Sequence, residues 1–118
     1  MKIVLIGGNP KGYNVPFHPS TKSGKRLRQI IEQTGISCEL TNMTNNLDDN
    51  PTREEINELK ERYKRYQVIF LGRFVEKALK DAFPSGIYLP HPASRRNADL
   101  IRLTMGLADF VDQEDRED

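Results

Sequence analysis

Few side chains in this sequence can do chemistry, and they occupy defined places. There are two histidines, His18 and His91, and one cysteine, Cys38. A single thiol excludes an internal disulfide framework, a cysteine-rich zinc site and an all-cysteine iron–sulfur cluster. His91 stands between Pro90 and Pro92, with Ser94, Arg95 and Arg96 just after it. An isolated histidine is most often a satisfied structural one. The prolines fix this one's backbone and place it beside two arginines, which makes it a better candidate for acid–base or hydrogen-bonding work. A second cluster is Gly7-Gly8-Asn9-Pro10-Lys11-Gly12. Such a turn can bind phosphate through backbone N–H groups. It is equally an ordinary Gly/Pro loop, and the dinucleotide and P-loop spacings are absent. Asn42 follows directly on a stretch that reads as a strand, in Leu40-Thr41-Asn42-Met43. Its amide carries both donors and an acceptor, so it can read the amide edge of a nucleobase. It can also cap its own turn.

These residues need elements to position them. Lys2 to Ile6 is a β-branched-rich apolar run closed by Gly7-Gly8, which reads as a buried strand. Residues 8–22 form a loop that is long for a strand-to-helix connection. Ser23 is the expected N-cap of a helix that buries Leu27, Ile30 and Ile31 and stops at Gly35. Ser37 to Thr41 is the second strand and residues 42–51 are a loop. Thr52-Arg53-Glu54-Glu55 is a capping box, and Ile56, Leu59 and Tyr63 stripe the helix it opens. Gln67 to Leu71 is the third strand. Gly72 leads to a helix with Phe74, Val75, Ala78 and Leu79 inward. Gly86 to Leu89 is the fourth strand, and a last helix over residues 97–111 turns Leu100, Ile101, Leu103 and Leu107 to the core. Cys38 belongs to the core. The strict strand–helix alternation predicts an α/β protein, a three-layer α/β/α sandwich with a four-stranded parallel sheet. Ligands bind such sheets beyond the carboxyl ends of the strands. A site is therefore expected from the Gly8–Lys22 loop, the Asn42–Asn50 loop, Gly72-Arg73 and the His91–Asn97 loop.

The motifs at those strand ends form an ordered series. It runs Gly8-Asn9-Pro10, Val15-Pro16-Phe17, Ser23-Gly24, Leu40-Thr41-Asn42, Leu71-Gly72-Arg73 and His91-Pro92-Ala93-Ser94-Arg95-Arg96-Asn97. This series resembles that of the uracil-DNA glycosylase superfamily, from about residue 3 to residue 105. The Asn-Pro pair is most similar to the mismatch-specific and single-strand-selective branches. The iron–sulfur branches share the Val-Pro-Phe and Ser-Gly features, but their cysteines are missing here. The resemblance implies monofunctional hydrolysis of the N-glycosidic bond of uracil or a related damaged base in DNA. By that implication Asn9 orients the attacking water and His91 stabilises the departing base anion. Gly8, Phe17 and Asn42 bind the base, with Phe17 stacking on it. Tyr13 either excludes a methylated base or is a loop aromatic. Ser94, Arg95 and Arg96 lie where the family contacts nucleic acid; apart from the resemblance, Lys22 and Lys25 cluster with Arg26 and Arg28 at the first helix, either to contact phosphate or as a solvated helix face. No nucleophilic lysine, metal or cofactor is implied.

Composition fits these expectations without demanding them. The chain has 118 residues, 36% hydrophobic and 30% charged, which suits one domain. No stretch reads as a signal peptide or a membrane span. The net charge of +1 hides an asymmetry: residues 112–118 hold five acids and one base, so this tail carries −4 and the rest of the chain +5. The expectation is a domain over residues 1–111 with an acidic, solubilising tail over 112–118. It would act as a cytoplasmic monomer with no membrane partner, its mildly basic body open to DNA. Two other readings stay open. One is a non-catalytic member of the same fold that binds a base or nucleic acid. The other is a nucleoside or nucleotide hydrolase that uses the Gly8–Gly12 turn for phosphate.

Overall fold

The computed structural model describes residues 1–117, and side chains through residue 113. Its elements alternate without exception: β1 (Ile3–Gly7), α1 (Lys22–Thr34), β2 (Glu39–Asn42), α2 (Arg53–Arg62), β3 (Gln67–Leu71), α3 (Arg73–Leu79), β4 (Ile87–Leu89) and α4 (Asn97–Glu117). The strands form one four-stranded sheet, all parallel, in the order β2-β1-β3-β4.

The two central strands are buried on both faces, as their continuous aliphatic runs require. Side chains alternate across the sheet. Ile3, Leu5, Ile69 and Leu71 therefore enter a core with Leu27 and Ile30 of α1 and Leu103 and Leu107 of α4. Val4, Ile6, Val68 and Phe70 enter a second core with Leu59 of α2 and Val75 and Leu79 of α3. This is the three-layer sandwich. The chain leaves β1 towards β2 across one face and returns to β3 across the other. The strand order thus reverses between β1 and β3, where open α/β sheets form a crevice at their carboxyl ends.

Local chemistry sets the helix ends. Thr52 and Glu55 make the expected capping box, and Gly35 ends α1 at φ 73° with its N–H donated to the Ile31 carbonyl. The N-cap of α1 is Thr21, not Ser23. The Thr21 hydroxyl oxygen accepts the Gly24 N–H at 2.9 Å while its O–H donates to the His18 carbonyl at 2.8 Å, and Ser23 is buried in the first turn. Two inward expectations fail. Phe74 is 58% exposed, because Val75 and Leu79 already fill the core side of the short α3. Ile101 is 59% exposed, because it lies about 200° round α4 from Leu103, off the seam of Leu103, Leu107 and Phe110. Cys38 is half-buried at the margin of the α1/α4 core. Helix α4 runs on to Glu117, past residue 111, and Asp118 lies outside the described residues. Among the described residues no helix is long and apolar enough to cross a membrane.

Candidate active site

Parallel pairing brings the strand-end residues together. Gly7 is paired with Asn42, and the ladder continues past both strands: the Met43 N–H donates to the Gly7 carbonyl at 2.9 Å and the Thr44 N–H to the Gly8 carbonyl at 3.3 Å. On the other side the Gly72 N–H donates to the Leu89 carbonyl at 2.8 Å. That places Gly72 against His91, and a Cβ there would come within 3.3 Å of the His91 Cβ. Gly8, Asn9, Phe17, Asn42 and His91 consequently line a single pocket of about 80 Å³. Thr21 and Ser23, at the start of α1, line it as well, so the positive end of that helix faces the cavity.

Phe17 is held in place against its own backbone preference. Its φ is 50°, in the left-handed region, which costs a bulky residue on the order of 1–3 kcal/mol. Three contacts offset this. Its ring is buried, and its far edge lies so close to Gly7 that any Cβ there would collide with it. The Arg28 guanidinium donates to the Phe17 carbonyl at 2.9 Å and to the Pro16 carbonyl at 3.2 Å. Gly24, lacking a side chain, lets α1 approach the Phe17 and His18 carbonyls closely. The result is an aromatic face 6.5 Å from the His91 ring, tilted by 44°.

His91 is tuned to be neutral. Its Nδ1 accepts the Ala93 N–H at 3.0 Å. A backbone amide can only donate, so the neutral ring carries its proton on Nε2. Burial pushes the His91 pKa below the ordinary histidine value, the Lys11 ammonium pushes the same way, and the Asp49 carboxylate partly opposes them. Asn9 is held on both sides of its amide. Its Oδ1 accepts the Lys11 N–H at 2.7 Å, and its Nδ2 donates to Asp49 Oδ1 at 2.6 Å and to the Leu47 carbonyl at 3.4 Å.

Other expected site residues lie around this pocket. Tyr13 does not line it. That ring is 40% exposed and stacks on His18 at 4.2 Å between centroids, beside a neighbouring groove of about 350 Å³ that shares Asn42. The Ser94 hydroxyl donates to Asp99 Oδ2 at 2.6 Å and accepts the Arg96 N–H at 3.2 Å, so it braces the His91 loop from within. Lys22, Lys25, Arg95 and Arg96 are exposed, on the first turns of α1 and on the His91 loop. Among the titratable residues of the pocket, Lys11, His18 and Asp49 were given no role by the sequence. Lys11 stood inside the Gly-rich turn and His18 next to Phe17. Asp49 had no signal of its own in a run of Asn and Asp.

Open α/β sheets bind ligands at such a strand-order reversal, and here the carboxyl-end loops gather amide, aromatic and imidazole groups beside it. The chain matches the Uracil DNA glycosylase superfamily over residues 1–105, and it belongs to that superfamily. Comparisons with curated proteins and with solved structures returned no match.

Proposed function

We propose that this protein is a monofunctional DNA glycosylase that hydrolyses the N-glycosidic bond of uracil or a related damaged base. The observation that carries this reading is the convergence of Asn9, Phe17, Asn42 and His91 on one pocket in a chain of this superfamily. A base taken out of its stack would lie on the Phe17 ring, with its amide edge on the Asn42 side chain. Unstacking costs a few kcal/mol, which stacking on an aromatic face and phosphate contacts offset. As the glycosidic bond lengthens, negative charge gathers on the base and positive charge on the sugar. The neutral His91 donates Nε2–H to the developing anion. A donor fixed in advance within a half-buried pocket is worth more there than in water. The N-terminus of α1 adds favourable potential. Lys22, Lys25, Arg95 and Arg96 supply exposed cations for phosphates, so affinity for DNA falls as salt rises. The Asn9-Pro10 pair supports a reading of the chain as similar to the mismatch-specific and single-strand-selective branches.

The test is release of free uracil from single-stranded and duplex oligonucleotides, with the product strand left unbroken until alkali treatment. Absence of release from both at stoichiometric protein contradicts the proposal. A second reading, nucleic-acid binding without base capture or turnover, is favoured by the narrowness of the pocket. Its roughly 80 Å³ is less than the ~150 Å³ of a cavity that admits benzene. That reading expects salt-dependent binding of the same oligonucleotides with no base released.

A further inference from the structure

The Asn42–Asn50 loop delivers a carboxylate to the pocket that neither the motif series nor the strand ends account for. Its neighbours Leu47, Asp48 and Asn50 are exposed, whereas Asp49 is half-buried and lines the cavity with Asn9, Asn42 and His91. The inward turn is a backbone feature. Asp49 has φ 59°, and its N–H closes a turn on the Asn46 carbonyl at 3.1 Å. The carboxylate lies over Gly8, where a Cβ would approach Oδ1 to 2.6 Å, and it accepts the Asn9 amide at 2.6 Å. Asp48 is excluded from the same role, since its Oδ1 accepts the Asn50 N–H out at the surface.

The loop is also anchored. Glu55, the capping-box residue of α2, accepts the Thr44 hydroxyl at 2.9 Å and the Asn45 N–H at 3.2 Å, and Thr44 Oγ1 in turn accepts the Asn46 N–H at 3.0 Å. A hydrogen-bonded path therefore runs from a helix cap to the turn that aims Asp49. An amide is a poor base, and Asn9 has its Nδ2 already committed to this carboxylate.

We propose that Asp49 is the general base of the reaction and that Asn9 is its positioning residue. The inference rests on the glycosylase reading above. A water held between Asp49 and the Asn9 carbonyl gives its proton to the Asp49 carboxylate as its oxygen bonds to the sugar C1′. The bond from C1′ to the base nitrogen breaks, and its electron pair leaves with the base. The base anion, held by His91, then takes up a proton, and Asp49 returns its own to solvent. One water is consumed, and one base and one abasic sugar are formed.

The experiment is single-turnover base release from a uracil-containing oligonucleotide across pH, for the unaltered chain, Asp49→Asn and Asn9→Asp/Asp49→Asn. Loss of a general base lowers the rate by about 10²–10⁴-fold. Asp49→Asn is expected to fall in that range, to lose the acid limb of the rate profile and to keep its melting temperature and DNA affinity. The double variant, with a carboxylate returned at position 9, is expected to regain part of the rate and the acid limb. A wild-type rate and pH profile in Asp49→Asn overturns this inference while leaving the glycosylase reading intact. No release by the unaltered chain overturns both.

Discussion

The two ends of the sheet differ in backbone as much as in side chains. Among the described residues, the non-glycine positions with positive φ are Lys11, Phe17 and Asp49, and all of them sit in the loops after β1 and β2 at the carboxyl end. The strands and helices beneath hold ordinary geometry around two aliphatic cores. Strained residues persist only where their surroundings over-determine them. Here the determinants are visible: Arg28 holds the Phe17 carbonyl, Asn9 holds the Lys11 N–H, and Asn9 also holds the Asp49 carboxylate. The packed layers thus supply the stability, and the carboxyl-end loops use some of it to aim side chains. Substitutions should separate the two regions.

The largest effect is expected below the pocket. Leu5 is fully buried in the central strand, so Leu5→Ala should lower unfolding free energy by about 2–5 kcal/mol. Denaturant titration measures this, and base release by the folded fraction should hardly change. The converse variant is His91→Ala. Removing such a fixed donor costs about 10²–10³ in rate, or about 2.7–4 kcal/mol of barrier. The loss should appear in single-turnover release with little change in the unfolding midpoint, since the His91 ring packs at a cavity wall. Equal losses of stability and rate in both variants would erase the distinction between the regions.

The smallest effect is the pH dependence of stability, and it reports the tuning of the carboxyl end. The folded His91 pKa lies below its ordinary value, chiefly through burial. As pH falls through about 6.5, the unfolded chain takes up a proton that the folded chain refuses, so stability declines from there down to the folded pKa. Glu55 is also lowered, first through its backbone hydrogen bond from Thr52, and adds a second decline below about 4.3. Melting temperature against pH should show the upper decline in the unaltered chain and lose it in His91→Gln.

How much of this was legible in the sequence follows from what each feature depends on. Strand and helix order was readable because the buried runs are contiguous and the breaks carry Gly, Pro and capping residues, as at Gly35 and Thr52. That Asn9, Phe17, Asn42 and His91 would lie near one another was readable because a parallel sheet brings strand-end loops together whatever their details. Asp49 was not, since its neighbours are equally polar. Which of them turns inward is decided by one left-handed φ and by the anchoring of the loop on Glu55, both tertiary outcomes. The placing of Tyr13 was not legible for a similar reason: a turn closed by its own N–H on the Pro10 carbonyl sends the ring to His18. Phe74 and Ile101 show the limit of helical periodicity, which marks apolar positions but not how wide a face the neighbouring layer covers.

The central claim is that the pocket at the carboxyl ends of β1, β2 and β4 excises a base from DNA. Its most direct test is a single-turnover assay of the unaltered chain on a uracil-containing oligonucleotide, with free uracil quantified by chromatography and the strand checked for breakage before and after alkali. Free uracil is expected, with an intact abasic strand that breaks only in alkali. Binding of the oligonucleotide without any released base would contradict the central claim.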